Sequence, residues 1–465
     1  MSKKQWSRLA LGMALLAVVR VSERGVGRPV AAQAKPAMSY PVFEVDPAWP
    51  PKLPYNWIVG HVPSVAVDSR GHVFLLSRPN TLTPEDRARS APPVVELDAT
   101  GKFVNAWGGP GIPGFDWPDS EHGIAIDYKD NVWIGGSAPV APSLRTLNDD
   151  MLLKFTHDGK FLLQIGGRDK SATSQNPPVP GGNKDTKSVH QSADVFVYQK
   201  TNEAFVADGY GNRRVIVFDA DTGAFKRLWG AFGNEPIDVL PAARGAGGGG
   251  RGAATPAGGD RGAAGAVGRG AAAAGGGGRG DAGAGGGGRG AVVGGGRAGG
   301  GAAPALDVEG PGSPQFGSPV HGIKVSNDGM VYVADRPNRR VQVFTVEGKY
   351  VTQLFINRAG PSTGSAAGVA FSPDAAQRFL YVADYGNSHI LVVDRKTLTV
   401  LYQFGQRSEK PGDFQGLHHM AVDSKGNIYT GEVAPGARAQ RFLFKGMSPT
   451  LPSNALTPAQ LAATE

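Results

Sequence analysis

The sequence predicts an all-β chain folded as a six-bladed β-propeller. Three observations predict it: a unit that recurs six times, strands with period-two alternation inside each unit, and Gly, Asp or Asn after nearly every strand. Four short antiparallel strands cannot cover their own apolar faces. Six such sheets arranged radially close a ring and leave few open edges.

The units can be followed in order. First strands are "SVAVDSRG" from Ser64, "HGIAIDYKD" from His122, "ADVFVYQKT" from Ala193, "HGIKVSNDG" from His321, "AGVAFSPDA" from Ala367 and "HMAVDSKG" from His419. Second strands follow as "NVWIGG", "EAFVADG", "MVYVADR", "FLYVADY" and "NIYTGE", and most units add "VIVF"-like and "FLLQIGG"-like runs. The propeller is expected over 57–445, after an N-terminal extension at 35–56 and before a C-terminal tail at 446–465.

Two segments stand outside it. Residues 1–34 begin "MSKKQWSRLALGMALLAVV", basic residues before an apolar run too short to span a membrane, and "AAQA" at 31–34 offers a small-x-small cleavage site. A signal peptide and a secreted or periplasmic location are expected, with no membrane attachment after cleavage. Residues 243–305 are almost wholly Gly, Ala and Arg, with little to bury, and are expected to be a disordered insertion.

Composition narrows the function classes. The formal charge of +8 is concentrated in those two segments, +6 over 1–38 and +5 over 241–305, so the remainder carries −3. That balance argues against a nucleic-acid partner. There is no cysteine, so any metal must be held by His, Asp, Glu or backbone oxygen.

The first strand of a propeller blade lines the central channel. Blades two, four and six open that strand with His122, His321 and His418, while "PSVAVD", "QSADVFV" and "AAGVAFS" open the others. Alternate blades of six are related by about 120°, so the three imidazoles form a tripod suited to a zinc with a free fourth position. His61, His190 and His389 do not fit this alternation and are read as structural.

In the hairpin "FVADGYGNRRVIVF", Tyr210 sits between Gly209 and Gly211. Gly209, Gly211 and Asn212 are expected to satisfy the turn by their backbone angles. Nothing in the turn calls for the tyrosine.

The phrases "VADGYGNRRVIVFDADTG", "VADRPNRRVQVFTVEG" and "VADYGNSHILVVDRKT" resemble NHL-type repeats. Beyond that, the chain resembles the peptidyl-α-hydroxyglycine α-amidating lyase and a set of bacterial secreted NHL-repeat proteins grouped with it. The resemblance covers most of 57–445 and is weakest in blade five and the loops. It implies a zinc held by His122, His321 and His418, in first-strand motifs that align with the family's channel histidines. It implies a catalytic Tyr210 in "DGY-x-N-x-R" and substrate-binding arginines at Arg78 in "FLLSRP" and Arg336 in "VADRPN", with Arg78 counted in the catalytic set. It also implies a calcium bound by the carbonyls of Val65 and Ile124 and a carboxylate after the third histidine. That carboxylate position is His419 here, which counts against calcium. A family cysteine beside the tyrosine is Gly211, so the hairpin is expected to be held by packing alone.

The implied chemistry is elimination at a carbinolamide, giving an amide and glyoxylate. Zinc acts as Lewis acid and Tyr210, unperturbed near pKa 10, as a general base made accessible by nearby positive charge. The substrate is a small molecule or peptide ending in a carboxylate, and the chain is expected to be a monomer. The alternatives are a non-catalytic NHL-propeller binding module, or another metal-dependent propeller hydrolase of lactonase type.

Overall fold

A computed structural model describes residues 39–138, 147–175, 178–238, 310–359, 364–457 and 460–461. The export signal expected over 1–34 and the Gly/Ala/Arg-rich insertion expected over 243–305 lie outside the described residues.

Within Ser39–Glu465 the strands form six four-stranded antiparallel sheets. Blade one holds β2 (His61–Val67), β3 (Val73–Arg78), β4 (Val94–Leu97) and β5 (Phe103–Trp107). Blade two holds β6 (Glu121–Ile126), β7 (Val132–Gly136), β8 (Met151–Phe155) and β9 (Phe161–Gly166). Blade three holds β10 (Ser192–Tyr198), β11 (Glu203–Asp208), β12 (Arg214–Asp219) and β13 (Phe225–Trp229). Blade four holds β14 (Val320–Val325), β15 (Met330–Asp335), β16 (Arg340–Thr345) and β17 (Tyr350–Phe355). Blade five holds β18 (Ala366–Phe371), β19 (Phe379–Asp384), β20 (His389–Asp394) and β21 (Thr399–Phe404).

Blade six departs from the sequence expectation. Its inner strands are β22 (Leu417–Val422), β23 (Ile428–Glu432) and β24 (Ala439–Ser448), but its outer strand is β1 (Tyr40–Val45). The segment expected as an N-terminal extension thus closes the ring, because Phe43 is an apolar residue that buries against Tyr381, Phe404 and Phe444. The expected tail also packs: Asn454 Nδ2 donates to the Phe43 carbonyl at 3.3 Å, and Leu456 N to the Gln403 carbonyl at 2.8 Å.

Middle strands are buried on both faces and read as near-continuous apolar runs, such as "VFLLS" and "EAFVAD". Outer strands such as "FKRLW" expose part of their length. The apolar core lies between blades: Phe205, Val215 and Trp229 of blade three pack with Ile323 and Phe344 of blade four. Innermost strands contact each other in a closed cycle from β2 through β6, β10, β14, β18 and β22 back to β2. Every one of these six strands has a break in its register near its start, at 61/64, 121/124, 192/194, 320/323, 366/369 and 417/420. Such bulges bend a strand and re-aim side chains.

Candidate metal centre and active site

The register breaks of blades two, four and six fall on His122, His321 and His418. The three rings meet at the axis with centroids 5.0, 4.8 and 4.5 Å apart. Each is anchored to the blade that follows. His122 donates Nδ1–H to the Ala193 carbonyl at 2.8 Å, His321 to the Ala367 carbonyl at 2.8 Å, and His418 to the Pro63 carbonyl at 2.7 Å. A carbonyl can only accept, so all three rings carry their proton on Nδ1 and turn an Nε2 lone pair to the axis. The glycine after two of these histidines serves the same contact: a Cβ on Gly123 would stand 2.6 Å from the Ala193 carbonyl, and one on Gly322 2.7 Å from that of Ala367.

Burial holds all three histidines well below the usual imidazole pKa, and the Arg336 guanidinium, joined by that of Arg78 at His122 and His418, further opposes their protonation. They are therefore neutral near pH 7. His321 Nε2 and His418 Nε2 are 3.1 Å apart. Neither has a proton to give the other, so the pair is mutually repulsive without a cation between them. Two nitrogens at tetrahedral positions on one zinc lie about 3.3 Å apart, so the donor set suits that ion.

Tyr210 closes the tripod from above. Its hydroxyl lies 2.8 Å from His122 Nε2 and 3.3 Å from His321 Nε2. The hairpin that delivers it is held differently from the sequence expectation. Neither flanking glycine has a left-handed φ. They are needed because they lack a side chain: a Cβ on Gly209 would be 1.9 Å from the Val320 carbonyl oxygen, and one on Gly211 2.1 Å from His190 Cγ.

Nor does packing act alone. Buried Asp208 accepts from Asn212 Nδ2 at 2.8 Å, Arg214 Nε at 2.8 Å and the His190 backbone N–H at 2.8 Å. Arg214 further donates to the Ser188 carbonyl at 2.8 Å, and Ser318 Oγ donates to the Tyr210 carbonyl at 2.7 Å. Asp335, Asn338 and Arg340 repeat the latch in blade four. The Asp, Asn and Arg of the repeat are thus scaffold, and what they hold differs from blade to blade.

Arg336 projects from the blade-four latch. It is 8% exposed, with its guanidinium 5.9 Å from the Tyr210 ring centre and 5.0 Å from that of Tyr385. Arg78 is half-buried, donates Nε–H to the Glu121 carbonyl at 2.5 Å, and adds positive charge at His122 and His418. His122, His321, His418, Tyr210, Arg336 and Arg78 therefore converge at one mouth, whereas the side chains of Val65 and Ile124 lie in the apolar core. Tyr385, 6.2 Å from His418 between ring centres, was missed. Its signal was present: "VADYGN" puts it where "VADRPN" puts Arg336.

His419 lies in the next layer, its ring stacked on His321 at 4.6 Å and 12°. Burial lowers its pKa to about 4, and its Nε2 has no hydrogen-bond partner among the described residues. Beside this layer Lys324 Nζ is 2.7 Å from Asp194 Oδ2 and 3.0 Å from the Ile323 carbonyl. An imidazole and an ammonium are not calcium ligands, so the side chains here do not suit that ion. His190 lies under the Tyr210 hairpin, donating Nδ1–H to Thr173 Oγ1 at 2.7 Å while that hydroxyl donates to Asn212 Oδ1 at 2.7 Å, and His389 donates Nδ1–H to the Gly405 carbonyl at 2.8 Å.

Among solved structures the chain is similar to one titled "Streptogramin B lyase structure", at 11% identity, covering 88% of this chain and 98% of that chain, with a TM-score of 0.42. Residues 320–344 match the family described as NHL repeat, and this stretch holds both His321 and Arg336. The chain is thus a six-bladed, all-β propeller carrying an NHL repeat.

Proposed function

We propose that this propeller is a zinc-dependent carbon–nitrogen lyase that splits a carbinolamide of the peptidyl-α-hydroxyglycine type into an amide and glyoxylate. The observation that carries this reading is the Tyr210 hydroxyl, 2.8 and 3.3 Å from two of three inward-facing imidazole nitrogens. His122, His321 and His418 would hold the zinc, which when bound supplies Lewis-acid stabilisation of negative charge on oxygen.

The remaining steps belong to the chain. Arg336, backed by the Tyr210 and Tyr385 rings, binds the substrate carboxylate, and Arg78 offers a second guanidinium across the mouth. Tyr210, acting as its phenolate, takes the proton of the substrate hydroxyl. The hydroxyl carbon becomes the aldehyde of glyoxylate, the C–N bond breaks, and the amide nitrogen gains a proton that Tyr210 can return.

The test is glyoxylate release from a model α-hydroxyglycine peptide by purified protein, with wild type and Tyr210→Phe compared at equal zinc content. Turnover should fall roughly 10²–10⁴-fold in the variant, the range for a lost general base. Equal turnover, or no release by wild type, would favour a binding module.

A further inference from the structure

We propose that Asp68, His72, Glu96 and His157 form a second divalent-metal site, in the seam between blades one and two on the face opposite the channel mouth. It shares no residue with the tripod and does not rest on the lyase reading.

Placement follows from strand direction. Asp68 and His72 lie in the loop after β2, whose start faces the mouth, and His157 lies in the β8–β9 hairpin on that same far face. One donor atom from each residue lies within 4.8 Å of all the others. His72 Nδ1 is 2.6 Å from Glu96 Oε1, while His157 Nε2 is 2.9 Å from Asp68 Oδ2 and 3.6 Å from Glu96 Oε1. Both carboxylates are buried, at 0% and 3% side-chain exposure, whereas the histidines keep about a fifth of theirs, which gives an ion a route in.

The chain's own repeats show that the cluster is not what the fold needs. In blade two Asp127 Oδ2 is closed by Asn131 Nδ2 at 3.1 Å and Trp133 Nε1 at 3.0 Å. In blade six Asp423 Oδ2 is closed by Asn427 Nδ2 at 2.8 Å and the Tyr429 hydroxyl at 3.1 Å. Blade one puts His72 in place of the asparagine and Phe74, which has no donor, in place of the Trp or Tyr. Asp68 Oδ1 remains tied to the backbone N–H groups of Arg70 and His72, so Oδ2 alone turns into the seam.

The strand facing this position changes sign as well. Trp133 pairs with Lys154 and Tyr429 with Arg441, but Phe74 pairs with Glu96. Lys154 reaches the Ala220 carbonyl of the next blade at 2.7 Å, and Arg441 reaches that of Ala99 at 3.1 Å. At the blade one–two seam this cation-to-carbonyl bridge is replaced by a carboxylate facing an imidazole.

Two imidazole nitrogens and two carboxylate oxygens suit a divalent transition ion such as zinc better than calcium or magnesium. Arg70 now bridges the donors: Nη2 is 3.0 Å from Asp68 Oδ2 and 3.7 Å from Glu96 Oε1, and it touches His157 Nε2. Its side chain is 53% exposed. The guanidinium and a metal ion compete for the same atoms, and an incoming ion displaces Arg70 to solvent.

Chelator-stripped full chain titrated with zinc chloride by calorimetry, and checked by metal analysis after dialysis, tests this. His72→Ala/His157→Ala should lose one zinc equivalent per chain that His122→Ala retains. Glu96→Gln, which preserves volume, should weaken that equivalent at least tenfold. Arg70→Ala should tighten it about tenfold, which loss of a purely structural ion pair would not do. Unchanged stoichiometry in the histidine pair, or Arg70→Ala and Glu96→Gln isotherms that overlay wild type, would overturn the proposal.

Discussion

The Tyr210 hydroxyl stands 2.8 Å from Nε2 of His122, although the two residues come from different blades. The contact depends on how closely the hairpin approaches its neighbours. Gly211→Ala places a methyl 2.1 Å from the His190 ring. Overpacking of this kind costs about 1–3 kcal/mol. The variant should unfold at lower urea, keep its channel zinc, and lose glyoxylate release in step with the displaced phenol. Wild-type turnover in this variant would show that Tyr210 placement is not limiting.

Removing any one of His122, His321 or His418 leaves two ligands, which hold zinc poorly. Each alanine variant should lower channel zinc affinity by at least two orders of magnitude, as read by competition with a chelating dye. His190→Ala should not, since its ring is turned to Thr173 under the hairpin. Undiminished affinity in all three variants rules out the tripod as a ligand set.

Arg336 and Arg78 face the same mouth but in different settings. Arg336 is nearly buried between two aromatic rings, so its charge acts in a drier environment than that of half-buried Arg78. Arg336→Gln should raise KM for a carboxylate-bearing substrate roughly 10–100-fold, and Arg78→Gln by less. A substrate ending in an amide should show no difference between these variants and wild type. An equal penalty for both substrates would remove the carboxylate contact from the mechanism.

Burial lowers the His190 pKa from 6.5 to about 4. Between those values the unfolded chain binds a proton that the folded chain does not, so His190 favours folding above pH 6.5 and loses that contribution as pH falls to about 4. The loss amounts to about 3 kcal/mol at most. The stability difference between wild type and His190→Asn, from urea melts at pH 7.5 and 4.5, should therefore shrink toward acid. A difference independent of pH would mean that His190 titrates normally.

Phe43 anchors the strand that closes blade six and is 3% exposed. Phe43→Ala should cost about 3–5 kcal/mol, seen as a lower urea midpoint. Loss of less than about 1 kcal/mol would show that β1 contributes little to closure.

Local pattern was enough to read the propeller, because alternation, turn residues and a recurring unit are all written within each blade. The alternating histidines were legible for the same reason: placing them on first strands needed only the repeat. The latch residues could be seen as a motif, but not as a buried hydrogen-bonded frame, since Asp208 also accepts from the His190 backbone N–H and Arg214 donates to the Ser188 carbonyl, both in another segment.

Tertiary structure alone decided the rest. That Tyr40–Val45 joins β24 depends on two strands nearly the whole chain apart, which no local signal relates. The register breaks that turn His122, His321 and His418 inward, and the carbonyls that select their tautomer, arise where one blade meets the next. The glycines beside Tyr210 illustrate the same limit: their positions suggested backbone freedom, yet what requires them is a carbonyl and an imidazole brought close by other parts of the ring. Asp68, His72, Glu96 and His157 span 89 positions and look unrelated in sequence, because a seam between blades is defined only after both have folded.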